Sequence, residues 1–203
     1  NHLPARVFQA QGELKELKLG RNNLSSLLPD TFTGLHSLTS LSLRGNSIKK
    51  LGHQVFSSLS QLRTLDLGKN KLSEVPVGIL PTSLKILNLD SNLLSSLPWA
   101  SLSSLPLLTS LSLAGNSLSS LPFSPPLPSL QHLDLSGNLL SRLSKMDQLS
   151  GLVTLDLSYN RLVTIDLSLP SLATLQLSGN LIEQLGPVTL ASCPSLTSIN
   201  ISH

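Results

Sequence analysis

Aromatic side chains, charges and cysteine are all scarce in this chain. One Cys, one Trp, one Tyr, one Met and four Phe occur in 203 residues, of which only 12% are charged. A single cysteine excludes a disulfide framework within the chain and any metal site built from several thiolates. No run approaches the roughly 18 consecutive apolar residues of a bilayer helix, so no membrane span is expected. With so few rings there is no platform on which bases could stack, and nucleic acid is not an expected partner. What fills the chain instead is 53 Leu and 36 Ser. That much leucine can bury enough apolar surface to offset chain entropy, which excludes disorder.

The leucines are periodic. The pattern L-x-x-L-x-L-x-x-N-x-L is complete at Leu14, Leu17, Leu19, Asn22 and Leu24, and begins again at Leu38, Leu62, Leu84, Leu108, Leu130, Leu152 and Leu172. A partial copy is Leu196, Ile199 and Ile201. The x-L-x-L portion alternates apolar with polar, as a strand with one buried face does, so Leu17 and Leu19 point inward and Lys18 outward. The asparagines recur as Asn22, Asn46, Asn70, Asn92, Asn116, Asn138, Asn160 and Asn180. An Asn amide both donates and accepts, and at this turn it can satisfy backbone groups left over by the strand, forming a buried ladder.

The return path reads F-x-x-L-x-x-L: Phe32, Leu35, Leu38; Phe56, Leu59, Leu62; Leu102, Leu105, Leu108; Met146, Leu149, Leu152; Leu190, Cys193, Leu196. Cys193 therefore occupies a core position and acts as a small hydrophobe. Loops with Pro, such as Leu97-Pro98 and Leu121-Pro122, leave no room for long outer helices, and Trp99 is expected to pack there.

No unit can bury its apolar edge alone, so neighbours must stack into one continuous core. The expected fold is a β-rich α/β solenoid, a curved horseshoe. Its parallel concave sheet has about nine strands, and short loops or 3-10 turns form the convex side. At about 4.8 Å per strand the face would be roughly 40 Å long. The chain reads as a single domain of nine repeats, 1–21, 22–45, 46–69, 70–91, 92–115, 116–137, 138–159, 160–179 and 180–203. Solenoids carry polar caps on their terminal units. Neither end of this chain reads as a cap, so a segment of a longer ectodomain is expected.

This pattern resembles the leucine-rich repeat superfamily along essentially the whole chain. The 24-residue units with F-x-x-L, as in Leu27 to Leu38, resemble its typical class, found in extracellular animal proteins. Leu3-Pro4-Ala5, followed by Leu14-Lys15-Glu16-Leu17 and Leu62-Arg63-Thr64-Leu65-Asp66-Leu67-Gly68, is similar to leucine-rich alpha-2-glycoprotein and to Toll-like and other receptor ectodomains. These strings are consensus and leave the subfamily open. The resemblance implies an extracellular location, and the sequons at Asn23 and Asn200 fit it as N-glycosylation acceptors.

Because consensus residues carry the fold, function must lie at outward strand positions. Those positions are small and polar. The candidate ligand contacts on and beside the concave face are Lys18, Arg44, Arg63, Asp66, Lys85, Asn88, Asp90, His132, Asp134, Asp156, Tyr159 and Gln176. Asp66, Asp134 and Asp156 fall in one column, which the L-D-L consensus explains structurally. His132 and Asp134 alternate on one strand with no marked nucleophile, and no phosphate or dinucleotide fingerprint occurs. No cofactor, metal site or enzymatic activity is therefore expected. Residues 1–100 hold 11 of the 14 bases against 6 acids, and residues 101–203 hold 3 bases against 5 acids. A basic stripe of Lys15, Lys18, Arg21, Arg44, Arg63, Lys69 and Lys85 could draw a sulfated glycan or an acidic protein patch. The expected role is recognition of a protein ligand on the concave or lateral face, within a receptor, adhesion or immune protein. The alternatives are a soluble secreted carrier or inhibitor, and a cytosolic scaffold or regulator.

Overall fold

A computed structural model describes residues 2–96, 99–121, 127–143, 146–184 and 191–202, with the backbone alone at 99 and 100. Leu97, Pro98, Pro122, Leu190 and the Trp99 side chain, on which expectations rested, lie outside the described residues.

Nine three-residue strands follow one another along the chain: β1 (Glu16–Lys18), β2 (Ser40–Ser42), β3 (Thr64–Asp66), β4 (Ile86–Asn88), β5 (Ser110–Ser112), β6 (His132–Asp134), β7 (Thr154–Asp156), β8 (Thr174–Gln176) and β9 (Ser198–Asn200). They form one sheet in sequence order, every pair parallel. The register never slips, with Leu17, Leu41, Leu65, Leu87, Leu111, Leu133, Leu155, Leu175 and Ile199 forming one column. A slip of one residue would turn a whole row of leucines to solvent, so burial enforces the pairing.

The inward leucines from β2 to β8 are buried, Leu41 at 0% and Leu111 at 1% exposure among them. Fully burying each such side chain contributes about 1.5–3 kcal/mol. The outermost strands are covered on one side only. Leu17 is partly buried, and Ile199 and Ile201 are 38% and 37% exposed rather than inward-packed.

Seven asparagines form the ladder. Asn138 is typical: its Oδ1 accepts from the Leu118 N–H at 3.0 Å, and its Nδ2 donates to the Leu113 and Leu135 carbonyls, both at 3.0 Å. One amide thus ties two consecutive turns together. Asn46 through Asn180 all repeat this and are 4–7% exposed. Asn22 differs. It donates to the Leu19 and Gly20 carbonyls at 2.9 and 3.3 Å but is exposed.

Among the described residues the convex side is mostly turns, with a short helix, α1 (Trp99–Ser103), and a 3-10 turn at Met146–Gln148. Phe32, Phe56, Leu102 and Met146 occupy equivalent buried sites, and Cys193 is buried at the second position of its triplet, equivalent to Leu35, Leu59, Leu105 and Leu149. Phe8 extends this row. Its ring stacks on Phe32 at 6.4 Å, and Phe32 stacks on Phe56 at 6.0 Å. The sequence placed Phe8 at the same 24-residue spacing, but with Gln11 where the other triplets carry an apolar middle residue.

Candidate ligand-binding face

The register sorts the outward residues into columns. Lys18, Ser42, Asp66, Asn88, Ser112, Asp134, Asp156, Gln176 and Asn200 close the strands in one line. His132 opens β6 and lies level with Ser110 and Thr154. Arg63 and Lys85 sit one residue before their strands, where the Arg63 carbonyl accepts from the Lys85 N–H at 2.8 Å. Arg44 and Asp90 lie two residues past β2 and β4, and Tyr159 three past β7.

The acidic column has a structural task. Asp66, Asn88, Asp134 and Asp156 each use Oδ1 to accept the backbone N–H two residues ahead, from Gly68, Asp90, Ser136 and Ser158, at 2.8 to 3.0 Å. These side chains terminate the strands by imitating a backbone turn. Asp134 also accepts from Ser136 Oγ at 2.7 Å. His132 Nδ1 is hydrogen-bonded to Thr154 Oγ1 at 2.8 Å, on the neighbouring strand.

Arg44 is not the free cation that a basic stripe requires. Its guanidinium donates to both carboxylate oxygens of Asp90, at 2.5 and 2.9 Å, and lies 3.5 Å from Asp66. The fork spans two rungs because the residue between them is Gly68. A Cβ built there would collide with Arg44 Nη1 and Asp90 Oδ1. Burial of Asp90 opposes its ionisation, but the hydrogen bonds from Arg44 and Ser91, with the Arg44 charge, outweigh it. The carboxyl is held below its usual range. The hydrogen bond to Asp90 likewise holds the Arg44 guanidinium above its usual value against the cost of burial. Lys18 is also paired, with Glu16 at 3.0 Å, in an exposed contact of small energy. Arg63 and Lys85 are exposed and make no ion pair among the described residues.

The strands β5 to β8 carry a shallow depression of about 410 Å³, lined by Ser112, His132, Asp134, Thr154, Asp156 and Gln176, among others. Its floor is the leucine column and its walls are hydroxyls and carboxylates. Among the described residues no group of three or more His, Cys, Asp or Glu is placed to hold a metal ion, and no helix is long and apolar enough to cross a membrane.

One column was not expected at all. The residue before each ladder Asn has positive φ: Arg21 (56°), Gly45 (71°), Lys69 (51°), Ser91 (52°), Gly115 (62°), Gly137 (63°), Tyr159 (55°) and Gly179 (66°). Four glycines fit this left-handed turn without cost, whereas a bulky residue there is strained. Tyr159 is nevertheless 70% exposed, and its ring lies over Gly179, where a Cβ would come within 2.6 Å of Cδ1. Asn23 is exposed beside the first rung. Asn200 accepts from the Ser202 N–H and Oγ at 3.1 and 2.9 Å, at an exposed position on β9.

Comparison with known proteins agrees with this architecture. Sequence models described as Leucine rich repeat match residues 1–48, 36–79 and 122–162, and a further Leucine Rich Repeat model matches 151–175, together more than half of the chain. Keratocan of Danio rerio is 30% identical over 96 residues, covering 46% of this chain and 27% of keratocan. The solved TLR13–ssRNA13 complex superposes with a TM-score of 0.88 at 31% identity, covering 98% of this chain and 30% of that one. The Toll–Spatzle complex of Drosophila, in a glycosylated form, gives a TM-score of 0.88 at 25% identity, with 98% and 28% covered. The chain thus spans less than a third of each of these three relatives. One of them is a complex with single-stranded RNA, so the exclusion of nucleic acid, drawn from the shortage of rings, gains nothing from the likeness.

Proposed function

The chain belongs to the leucine-rich repeat family, and from that premise we propose that it is an extracellular recognition segment of a receptor, adhesion or immune protein, holding a protein ligand on its concave face. As a member of this family it is a protein-interaction module and not an enzyme. The observation that carries the reading is the unbroken register of nine strands, which leaves the inward residues committed and the outward ones presented on a rigid surface. Such a surface loses little entropy on association, so affinity does not require large contacts. His132, Asp134, Asp156 and Gln176 in the depression are the contact residues of this proposal. Support for the location comes from the likeness to keratocan and to glycosylated Toll, and from the exposed sequon at Asn23.

The test has two arms. An array of secreted and ectodomain proteins is probed with the parent chain and with Asp134→Lys/Asp156→Lys. Binding by the parent that the double variant loses, and that Ser60→Lys on the convex side keeps, is the expected result; equal binding by both rejects the concave face. Treatment of the natively expressed protein with a peptide N-glycosidase should shift its mobility. A cytosolic protein with no shift would favour the scaffold or regulator reading instead.

A sulfated glycan on the basic half is a second reading, favoured by Arg63 and Lys85 standing side by side without ion pairs among the described residues. Arg63→Glu/Lys85→Glu should then leave a heparin column at markedly lower salt than the parent. Unchanged elution removes the idea.

A further inference from the structure

Just past the concave face, the edge of the solenoid carries an apolar cluster that the repeat does not require. Leu139 and Leu181 follow the ladder residues Asn138 and Asn180, and are 37% and 60% exposed. At the same place in other turns stand Asn23, Ser47, Lys71, Leu93, Ser117 and Arg161, so an apolar side chain is not a condition of the fold here. Arg161 sits on the rung between the two leucines. Its N–H donates to the Leu140 carbonyl at 2.8 Å, and the Leu181 N–H donates to the Leu162 carbonyl at 2.9 Å. Tyr159 and Val163 flank Arg161 on the same turn, 70% and 40% exposed. At about 4.8 Å per rung the three turns span roughly 10 Å, enough for one short peptide segment.

We infer that Leu139, Tyr159, Arg161, Val163 and Leu181 form a second binding surface, distinct from the concave face, which docks a protein segment carrying a carboxylate between apolar side chains. Exposed apolar residues scattered singly need no explanation, whereas a contiguous group around a cation does. Tyr and Arg are the residue types that dominate binding energy at such patches.

Two further observations favour this occupant. Tyr159 holds a left-handed backbone where glycine occupies four turns, so the fold gains nothing from a ring there. The same ring lies over Gly179, in space that a side chain there would need. Arg161 is exposed and makes no ion pair among the described residues. Its guanidinium fork matches a carboxylate in two parallel hydrogen bonds. A long polyanion is disfavoured, since residues 101–203 hold more acids than bases and Glu183 stands one rung from Val163, its N–H donating to the Val163 carbonyl at 3.3 Å.

A phage library of short random peptides, panned on the immobilised full chain, tests the assignment. Selected peptides should carry Asp or Glu flanked by Leu, Ile, Phe or Trp. Synthetic versions should bind Arg161→Glu at least about tenfold more weakly than the parent by fluorescence anisotropy. Tyr159→Gly should weaken binding likewise while melting no earlier than the parent, a combination that a purely structural tyrosine would not produce. Failure to select any peptide, peptides without a carboxylate, or equal binding by Arg161→Glu would overturn the proposal. So would peptides lost by Asp134→Lys but kept by Arg161→Glu, which would belong to the concave face and leave the proposed function standing. A dimer in sedimentation that Arg161→Glu dissolves would assign the surface to a second copy and equally overturn the peptide partner.

Discussion

Between β1 and β4 some of the outward charges close on one another, and between β5 and β8 none does among the described residues. In the first half Arg44 reaches across Gly68 to Asp90 and Asp66, and Lys18 reaches Glu16. In the second half no ion pair occurs among the described residues, and Asp134, Asp156 and His132 bond only to hydroxyls and backbone amides. The outer row differs as well, with stacked Phe8, Phe32 and Phe56 giving way to Leu102 and Met146. One ladder can therefore carry a stretch where charges pair across rungs and another where they bond only to hydroxyls and backbone amides. Counting charges along the sequence marked a basic stripe in the first half that could draw a sulfated glycan or an acidic protein patch, whereas stacking pairs Arg44 and Lys18 of that stripe with carboxylates.

The comparison breaks most severely at what the halves share. Leu111→Ala, at a 1% exposed inward position of β5, should cost about 2–5 kcal/mol in a denaturant titration. A loss well below that would mean the leucine column is not a packed core. Asn138→Ala should cost about 1–3 kcal/mol, because the Leu118 N–H and two carbonyls lose their partner in a buried site. The same change at exposed Asn22 should cost clearly less, and equal losses would contradict the difference between buried and exposed rungs.

The clamp in the first half sharpens the contrast. Gly68→Ala and Arg44→Glu should each destabilise by about 1–2 kcal/mol, by evicting the guanidinium or by facing a carboxylate toward Asp66 and Asp90. Pairing lowers the Asp90 pKa in the folded state, so its contribution is present above the ordinary carboxylate value and fades as pH falls through the lowered one. The stability gap between parent and Asp90→Asn should accordingly be full at neutral pH and shrink below about pH 4. A gap independent of pH would show that the ion pair contributes nothing. Arg63→Glu, at an exposed site, should leave unfolding within about 0.5 kcal/mol of the parent.

The nine strands, their parallel order and the columns they form were legible because each depends on a short spacing repeated in every unit. Cys193 in the core and the shared column of Asp66, Asp134 and Asp156 followed from the same arithmetic. The pairing of Arg44 with Asp90 was hidden, since the two are 46 residues apart and become neighbours only when a glycine intervenes in space. The edge cluster around Arg161 was hidden as well, since its residues stand beside the ladder on successive turns and not at strand positions. A cue existed in the Gly-Asn pairs at Asn46, Asn116, Asn138 and Asn180, which mark the left-handed column that Tyr159 shares.

Repetition of leucine and asparagine determined the coil, its sheet and its buried ladder, because burial and backbone hydrogen bonding act through local spacing that each unit restates. Which charges neutralise one another, and which side chains are left facing outward for a partner, was decided only by stacking. Stacking brings residues from different turns to within about 5 Å, and a residue's partner is then set by which side chain, or which glycine, occupies the rung beside it.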